Sequence, residues 1–205
     1  MIVDPFVLLA FIPAALALNL TPGADMMFCL GQGLRHGPRA AMAANLGIGI
    51  ASLIQTAIAG LGLGAIVATY PLAFDVIRWV GVAYLLWLAW NALRAGPINA
   101  EGQPSRHAFR DGLIVNLTNP KVILFTLTFI PQFVDPARGS VLAQFMVFGA
   151  VLFLGGLIVN GTVGVFAGGI GRRVARSPGF ARGLGYISAG VFAALALRLA
   201  VLERS

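Results

Sequence analysis

Two ionisable side chains stand inside apolar sequence. Asp25 lies three residues after Pro22, and Lys121 directly follows Pro120. A charge inside a bilayer costs about 2.5–3.5 kcal/mol on insertion scales, so it persists only with a partner or a function. Two readings fit. In one, Asp25 and Lys121 pair with each other or cap their own helices, and hold the fold. In the other, Asp25 takes a proton or a substrate ammonium, while Lys121 orients a carboxylate or stabilises Asp25. Other reactive chemistry is sparse. His36 and His107 fall between apolar runs, and Cys29 is the single cysteine. No spacing resembles a zinc site, and there is no Gly-x-Ser-x-Gly elbow or Walker loop. An enzyme, a metal and a cofactor are therefore not expected. An ATP-driven pump would need a separate subunit, and an intramembrane hydrolase lacks an evident nucleophile–base pair.

Both charges follow prolines that interrupt apolar runs. Proline has no amide donor and blocks the carbonyl one turn earlier. In hydrocarbon the freed groups must find partners or line a wet or protein-filled cavity. Proline is tolerated at the first position of a helix, with Thr or Asn before it as N-cap. Thr21-Pro22 and Asn119-Pro120 thus predict a cap and a restart, each splitting one long segment into two half-helices. A restarted half-helix presents unpaired N–H groups and a positive dipole end, which suits a carboxylate. About 15 apolar residues precede the first break, whereas fewer than ten separate Asp111 from the second. The site is expected nearer the cytoplasmic face than the midplane.

The elements that must carry these breaks follow from composition. Of 205 residues, 59% are hydrophobic and 10% charged. A soluble domain carries roughly a quarter charged residues. An ordinary cytosolic enzyme, a disulfide scaffold and a disordered chain are excluded, and runs this continuous do not suit a transmembrane barrel. Apolar runs cover about 5–20 continuing to 30, 40–68, 72–93, 112–134, 140–170 and 180–202. Each can cross about 30 Å of hydrocarbon. Met1–Ala17 has no Lys or Arg and contains Asp4, so it is read as a retained first helix rather than a signal peptide. The expectation is an all-α integral membrane protein of six transmembrane helices, with helices one and four interrupted.

The net charge of +7 comes almost wholly from arginines between runs, so nucleic acid is not an expected partner. Arg35, Arg39, Arg94, Arg106, Arg110, Arg172, Arg173, Arg176 and Arg182 fall after helices one, three and five. Arg78, Arg138, Arg198 and Arg204 fall on the other side, with Asp4, Asp75, Asp135 and Glu203. The first group is expected in the cytoplasm, with both termini periplasmic and Arg198 snorkelling to the outer interface. Asn19-Leu20-Thr21-Pro22 is echoed by Asn116-Leu117-Thr118-Asn119-Pro120 about half a chain later. Two three-helix halves must run in opposite directions, an inverted-topology repeat of the kind found in secondary transporters. The chain then reads as one transporter domain, 1–205, with repeat one at 1–95, a basic cytoplasmic loop at 96–110 and repeat two at 111–205.

Remaining polar and small residues fit packing. Asn45, Gln55 and Asn160 suit interhelical hydrogen bonds, and Gly47/Gly49, Gly60/Gly62/Gly64, Gly155/Gly156 and Gly168/Gly169 suit close helix contact. Tyr84, Trp87 and Trp90 recur at helical spacing, with Trp90 suited to an interfacial belt or a substrate-facing position. Phe125, Phe129 and Phe133 form a packing stripe.

At these residues the chain resembles a known group. Asn19-Leu20-Thr21-Pro22-Gly23-Ala24-Asp25 resembles the first-helix motif of the LysE/RhtB family of amino-acid exporters, with Ala24 where a second proline is common. Asn116-Leu117-Thr118-Asn119-Pro120-Lys121, followed by Phe129-Ile130-Pro131-Gln132-Phe133, resembles that family's Asn-Pro-Lys and Pro-Gln-Phe motifs. The resemblance covers essentially the whole chain and implies export of amino acids or close derivatives across the bacterial inner membrane, driven by the proton gradient. It is nearest the homoserine, threonine and neutral amino-acid branch. The substrate- and proton-binding residues are then expected among Asn19, Thr21, Pro22, Gly23, Asp25, Asn116, Asn119, Pro120 and Lys121. A zwitterion would set its carboxylate near Gly23 and Lys121, and its ammonium on Asp25 with Asn19 or Asn116. The expected partners are an amino acid, a proton and the lipid bilayer, and the glycine-rich faces leave room for a homodimer. Alternatives are efflux of inorganic cations, which the sparse acidic, His and Cys residues disfavour for soft metals, and a non-transporting membrane scaffold.

Overall fold

Apolar runs longer than 15 residues, with no period-two alternation and few β-branched clusters, favour helices that satisfy their own backbone. The computed structural model describes residues 2–69, 71–94, 107–167 and 177–201, and every regular element among them is helical. The first apolar run is split into α1, Pro5–Leu20, and α2, Ala24–His36. Two long helices follow: α3, Pro38–Thr69, and α4, Pro71–Arg94. The fourth run is split into α5, Ala108–Leu117, and α6, Pro120–Thr128, with short 3-10 turns at Ile130–Phe133 and Pro136–Arg138. Helices α7, Val141–Val165, and α8, Pro178–Val201, complete the described chain.

Both expected interruptions occur. α1 and α2 meet at 53°, and α5 and the segment beginning at Pro120 meet at 51°. Three helices among the described residues are long and apolar enough to cross a membrane: α3 over Pro38–Gly62, α7 and α8. Counting each bent pair as one broken span gives up to five. The half-helices are unequal, as the sequence spacing predicts: 16 and 13 residues around the first break, 10 and 9 around the second. Most of the basic loop 96–110, including Arg106, lies outside the described residues. So do Gly168, Gly169, Arg172, Arg173, Arg176, Glu203 and Arg204, and the side chains of Asp75, Arg78 and Arg198.

α3 is the central element, packed against α7, α5 and α2, while α4 pairs with α8. α7 buries Phe145, Phe148 and Leu152 and turns Leu154 and Ile158 outward, so apolar side chains occupy both faces, as in a helix that contacts lipid. The expected phenylalanine stripe is a packing device. Phe11 of α1 is fully buried against Phe125, Phe129, Phe133 and Phe148, at ring-centroid distances of 6.3, 6.1, 5.3 and 4.8 Å. This cluster fills the end of the bundle at which Asp4 and Arg138 meet at 3.2 Å, with Asp135 at 3.3 Å from the same guanidinium. The loop charges place these three residues on one side, and here they meet. Trp90 is half exposed, with the Arg94 guanidinium 4.2 Å from its ring centroid.

Helices approach backbone to backbone at glycines. A Cβ added at Gly112 would run into the carbonyl of Ala44, and one at Gly47 into the carbonyl of Phe109, so α3 and α5 touch reciprocally. Such contact replaces the missing hydrophobic drive between helices in lipid with van der Waals packing. Gly62 is a correction: it faces open space, with nothing within 4 Å of where a Cβ would stand, and packs no helix. Gly112→Val should therefore separate α3 from α5 and lower the thermal midpoint of the purified protein sharply, whereas Gly62→Ala should leave it unchanged or raise it slightly. Phe11→Ala should destabilise by about 3–5 kcal/mol through the cavity it opens, read as a fall in the same midpoint.

Candidate functional site at the paired helix breaks

Each proline strips one amide from its helix, and the carbonyl four residues earlier loses its partner. For Pro22 that carbonyl belongs to Leu18, and for Pro120 to Asn116. Neither is left bare. Lys121 Nζ donates to Leu18 O at 3.0 Å and to Thr21 O at 2.9 Å. Gln55 Nε2, from α3, donates to Asn116 O at 2.7 Å, and the Asn119 amide reaches the same carbonyl at 2.9 Å. The charge that opens α6 thus closes the end of α1, where the negative dipole end of a helix favours a cation.

The two breaks differ in how they restart. At the second, Asn119 is the expected N-cap: its side chain accepts from the Lys121 amide at 3.0 Å, with Pro120 at the first helical position. At the first, the expected Thr21 cap does not occur. Thr21 terminates α1, donating its hydroxyl to Ala17 O at 2.6 Å, and α2 restarts from Gly23 with no side-chain cap. The hydroxyl is held against its own helix by this back-bond, pointing away from the amides that open α2. Gly23 is kept small by its neighbour, because a Cβ there would sit 3.0 Å from Lys121 Nζ.

Asp25, in the first turn of α2, is 7% exposed and accepts from Asn116 Nδ2 at 2.9 Å through Oδ2, while its Oδ1 is buried without a partner. Asp25 therefore reaches the last turn of α5, as Lys121 reaches the last turn of α1. The end of α1 is thus tied to the first turn of α6, and the end of α5 to the first turn of α2. The reading in which each charge caps its own helix does not hold for Lys121, whose ammonium is bound to α1.

A small, partly open hollow lies beside the breaks, lined among others by Asn19, Asp25, Asn45, Ser52, Asn116 and Asn160. A contiguous part includes Lys121 beside Asn19 and Asp25. Of the expected site residues, Asn19, Asp25, Asn116 and Lys121 form this wall. Thr21, Pro22, Gly23, Asn119 and Pro120 do not line it. They build the breaks that aim the others. Asn19 also holds α7, donating to Leu152 O at 3.3 Å beside Gly155 and Gly156.

The sequence assigns Asn45, Gln55 and Asn160 to interhelical bonding. Asn45 does bond α7, at Leu157 O and 3.0 Å, and Gln55 bonds α5 as above. The hollow additionally recruits Asn45 and Asn160 as wall residues. Ser52 gives no signal in the sequence, being a small residue in a long helix. Tyr84 groups with the tryptophans by spacing, yet it is buried and donates to Lys121 O at 2.7 Å, fixing the start of α6. Among the described residues, no group of three or more His, Cys, Asp or Glu could hold a metal ion.

The model of the LysE type translocator family matches residues 16–203. An uncharacterized membrane protein of Vibrio cholerae is 33% identical over 98% of this chain and 99% of its own length. The homoserine/homoserine lactone efflux protein of Salmonella typhimurium is 32% identical over 73% of this chain and 75% of its own. The leucine efflux protein of an Enterobacter species is 31% identical over 70% of this chain and 71% of its own. No solved structure matches. On its motifs, its broken apolar helices and this family match, the chain belongs to the LysE type translocators, a family of membrane transport proteins with amino-acid efflux proteins among its relatives.

Proposed function

We propose that this protein is a secondary active exporter of neutral amino acids and close derivatives, working by proton antiport across the bacterial inner membrane. The observation that carries the reading is a buried carboxylate, Asp25, with one unpaired oxygen, on the wall of a hollow where two broken helices meet. An intramembrane acid without a cationic partner at its free oxygen is suited to exchanging a proton for a substrate ammonium. The relatives named for leucine and homoserine efflux support the substrate class.

An inverted repeat supplies the moving parts. Exchanging the halves carries α3–α7 and α4–α8 onto themselves, α3–α5 onto α7–α1, and α2–α7 onto α6–α3, whereas the α2–α3, α1–α8, α2–α5, α4–α6 and α3–α4 packings have no counterpart of similar extent among the described residues. Unequal half-helices need not prevent the breaks from meeting. α1 carries the first break about 24 Å from the Asp4 end, and α6 with its 3-10 turn covers roughly 21 Å from that end to the second. With the Asp4–Arg138 end and both termini in the periplasm, the hollow lies nearer the cytoplasm. Substrate enters from the arginine-rich side, its ammonium meets Asp25 and Asn116, and a proton arriving from outside neutralises Asp25 and releases it.

In proteoliposomes with an imposed proton gradient, labelled leucine or homoserine should move against its concentration gradient. Asp25→Asn should reduce that flux to the level of empty vesicles while the protein still inserts and purifies. Coupled flux retained at the wild-type rate would remove Asp25 from the mechanism. Lys121→Met should leave the Leu18 and Thr21 carbonyls unpaired, with a loss of about 1.5–3 kcal/mol for a hydrogen bond to a charged group. The checking measurement is a lower thermal midpoint even in the absence of substrate.

A further inference from the structure

Three residues on the wall of the hollow carry unmet hydrogen-bond acceptors. Asp25, Asn45 and Asn116 line it together, exposed by 7, 1 and 2%. Each keeps one buried oxygen with no partner: Asp25 Oδ1, Asn45 Oδ1 and Asn116 Oδ1. The amide orientations are fixed by their bonds. Asn45 Nδ2 donates to Leu157 O and Asn116 Nδ2 to Asp25 Oδ2. Turning either amide over would set oxygen against oxygen, so the free atoms are acceptors. A buried acceptor left unmade costs about 1–3 kcal/mol, and three beside one hollow are a standing demand for donors.

The cation near the same hollow is already committed. Lys121 gives two of its three protons to the carbonyls of Leu18 and Thr21, and Gly23 closes in on its ammonium. A substrate carboxylate at Lys121 would compete with the end of α1 for those protons. We infer that the hollow recognises its substrate by a primary ammonium, which offers three donors and one positive charge to the free oxygens of Asp25, Asn45 and Asn116, and that it does not require a free carboxylate. Asn45 is on this account a specificity-determining residue. The substrate class is therefore primary amines with a small apolar or hydroxylated body, amino-acid amides and esters included. The inference rests on the amino-acid export reading and narrows it.

The test separates the two. Purified wild-type protein is titrated with leucine, leucinamide, N-acetyl-leucine and sodium chloride while its thermal midpoint is followed, which needs no transport. Leucine and leucinamide should stabilise it at concentrations within about threefold of each other, and N-acetyl-leucine should need at least tenfold more. Asn45→Ala should weaken leucine and leucinamide by the same factor, about tenfold for one lost bond to a charged group. Asn45→Gln, which keeps both an amide donor for the Leu157 carbonyl and an acceptor, should retain binding of both. Stabilisation by N-acetyl-leucine equal to that by leucine, failure of leucinamide, or equal stabilisation by sodium chloride alone would each overturn the inference. The export reading falls separately, on absent flux of leucine and homoserine from proteoliposomes.

Discussion

A proline in a membrane helix frees a carbonyl that its own helix can no longer satisfy, and the neighbouring helices answer that demand. Pro22 frees Leu18 O and Pro120 frees Asn116 O. The chain supplies Lys121 for the first and Gln55 for the second, each from a different helix. A break that would otherwise weaken the span becomes a point of attachment between elements far apart in sequence. The same logic explains why Tyr84 leans on the Lys121 carbonyl and why Asn119 closes the Lys121 amide.

The two charges acquire their places through this arrangement. Lys121 opens α6, where a cation opposes the helix dipole, but its long side chain carries the ammonium to the end of α1, where the dipole favours it. Asp25 stands in a favourable first turn, and Asn116 holds one of its oxygens. Neither charge neutralises the other by direct pairing in the geometry described. That leaves one buried carboxylate oxygen of Asp25 without a hydrogen-bond partner among the described residues.

Rigid packing surrounds the breaks. Phe11 and its four aromatic neighbours fill the Asp4 end, and the Gly47–Phe109 and Gly112–Ala44 contacts press α3 against α5. Asn19 and Asn45 spend their amides on α7, which brings the wall of the hollow together from α1, α3 and α7. Polar side chains thus serve twice, joining helices with one end and lining the hollow with the other.

Sequence alone determined the helical class, the apolar runs to within a few residues, both interruptions, and the two charges worth watching. It could do so because proline chemistry and the cost of burying charge are local and strong. The unequal half-helix lengths were equally readable by counting. Partners were not. That Thr21 would end α1 instead of starting α2, that Lys121 would bind the end of α1, and that Gln55 would serve Asn116 depend on which helices lie side by side. The free oxygens of Asp25, Asn45 and Asn116 were hidden for the same reason: whether a polar atom is satisfied is a property of its neighbours, and only the tertiary structure chooses them.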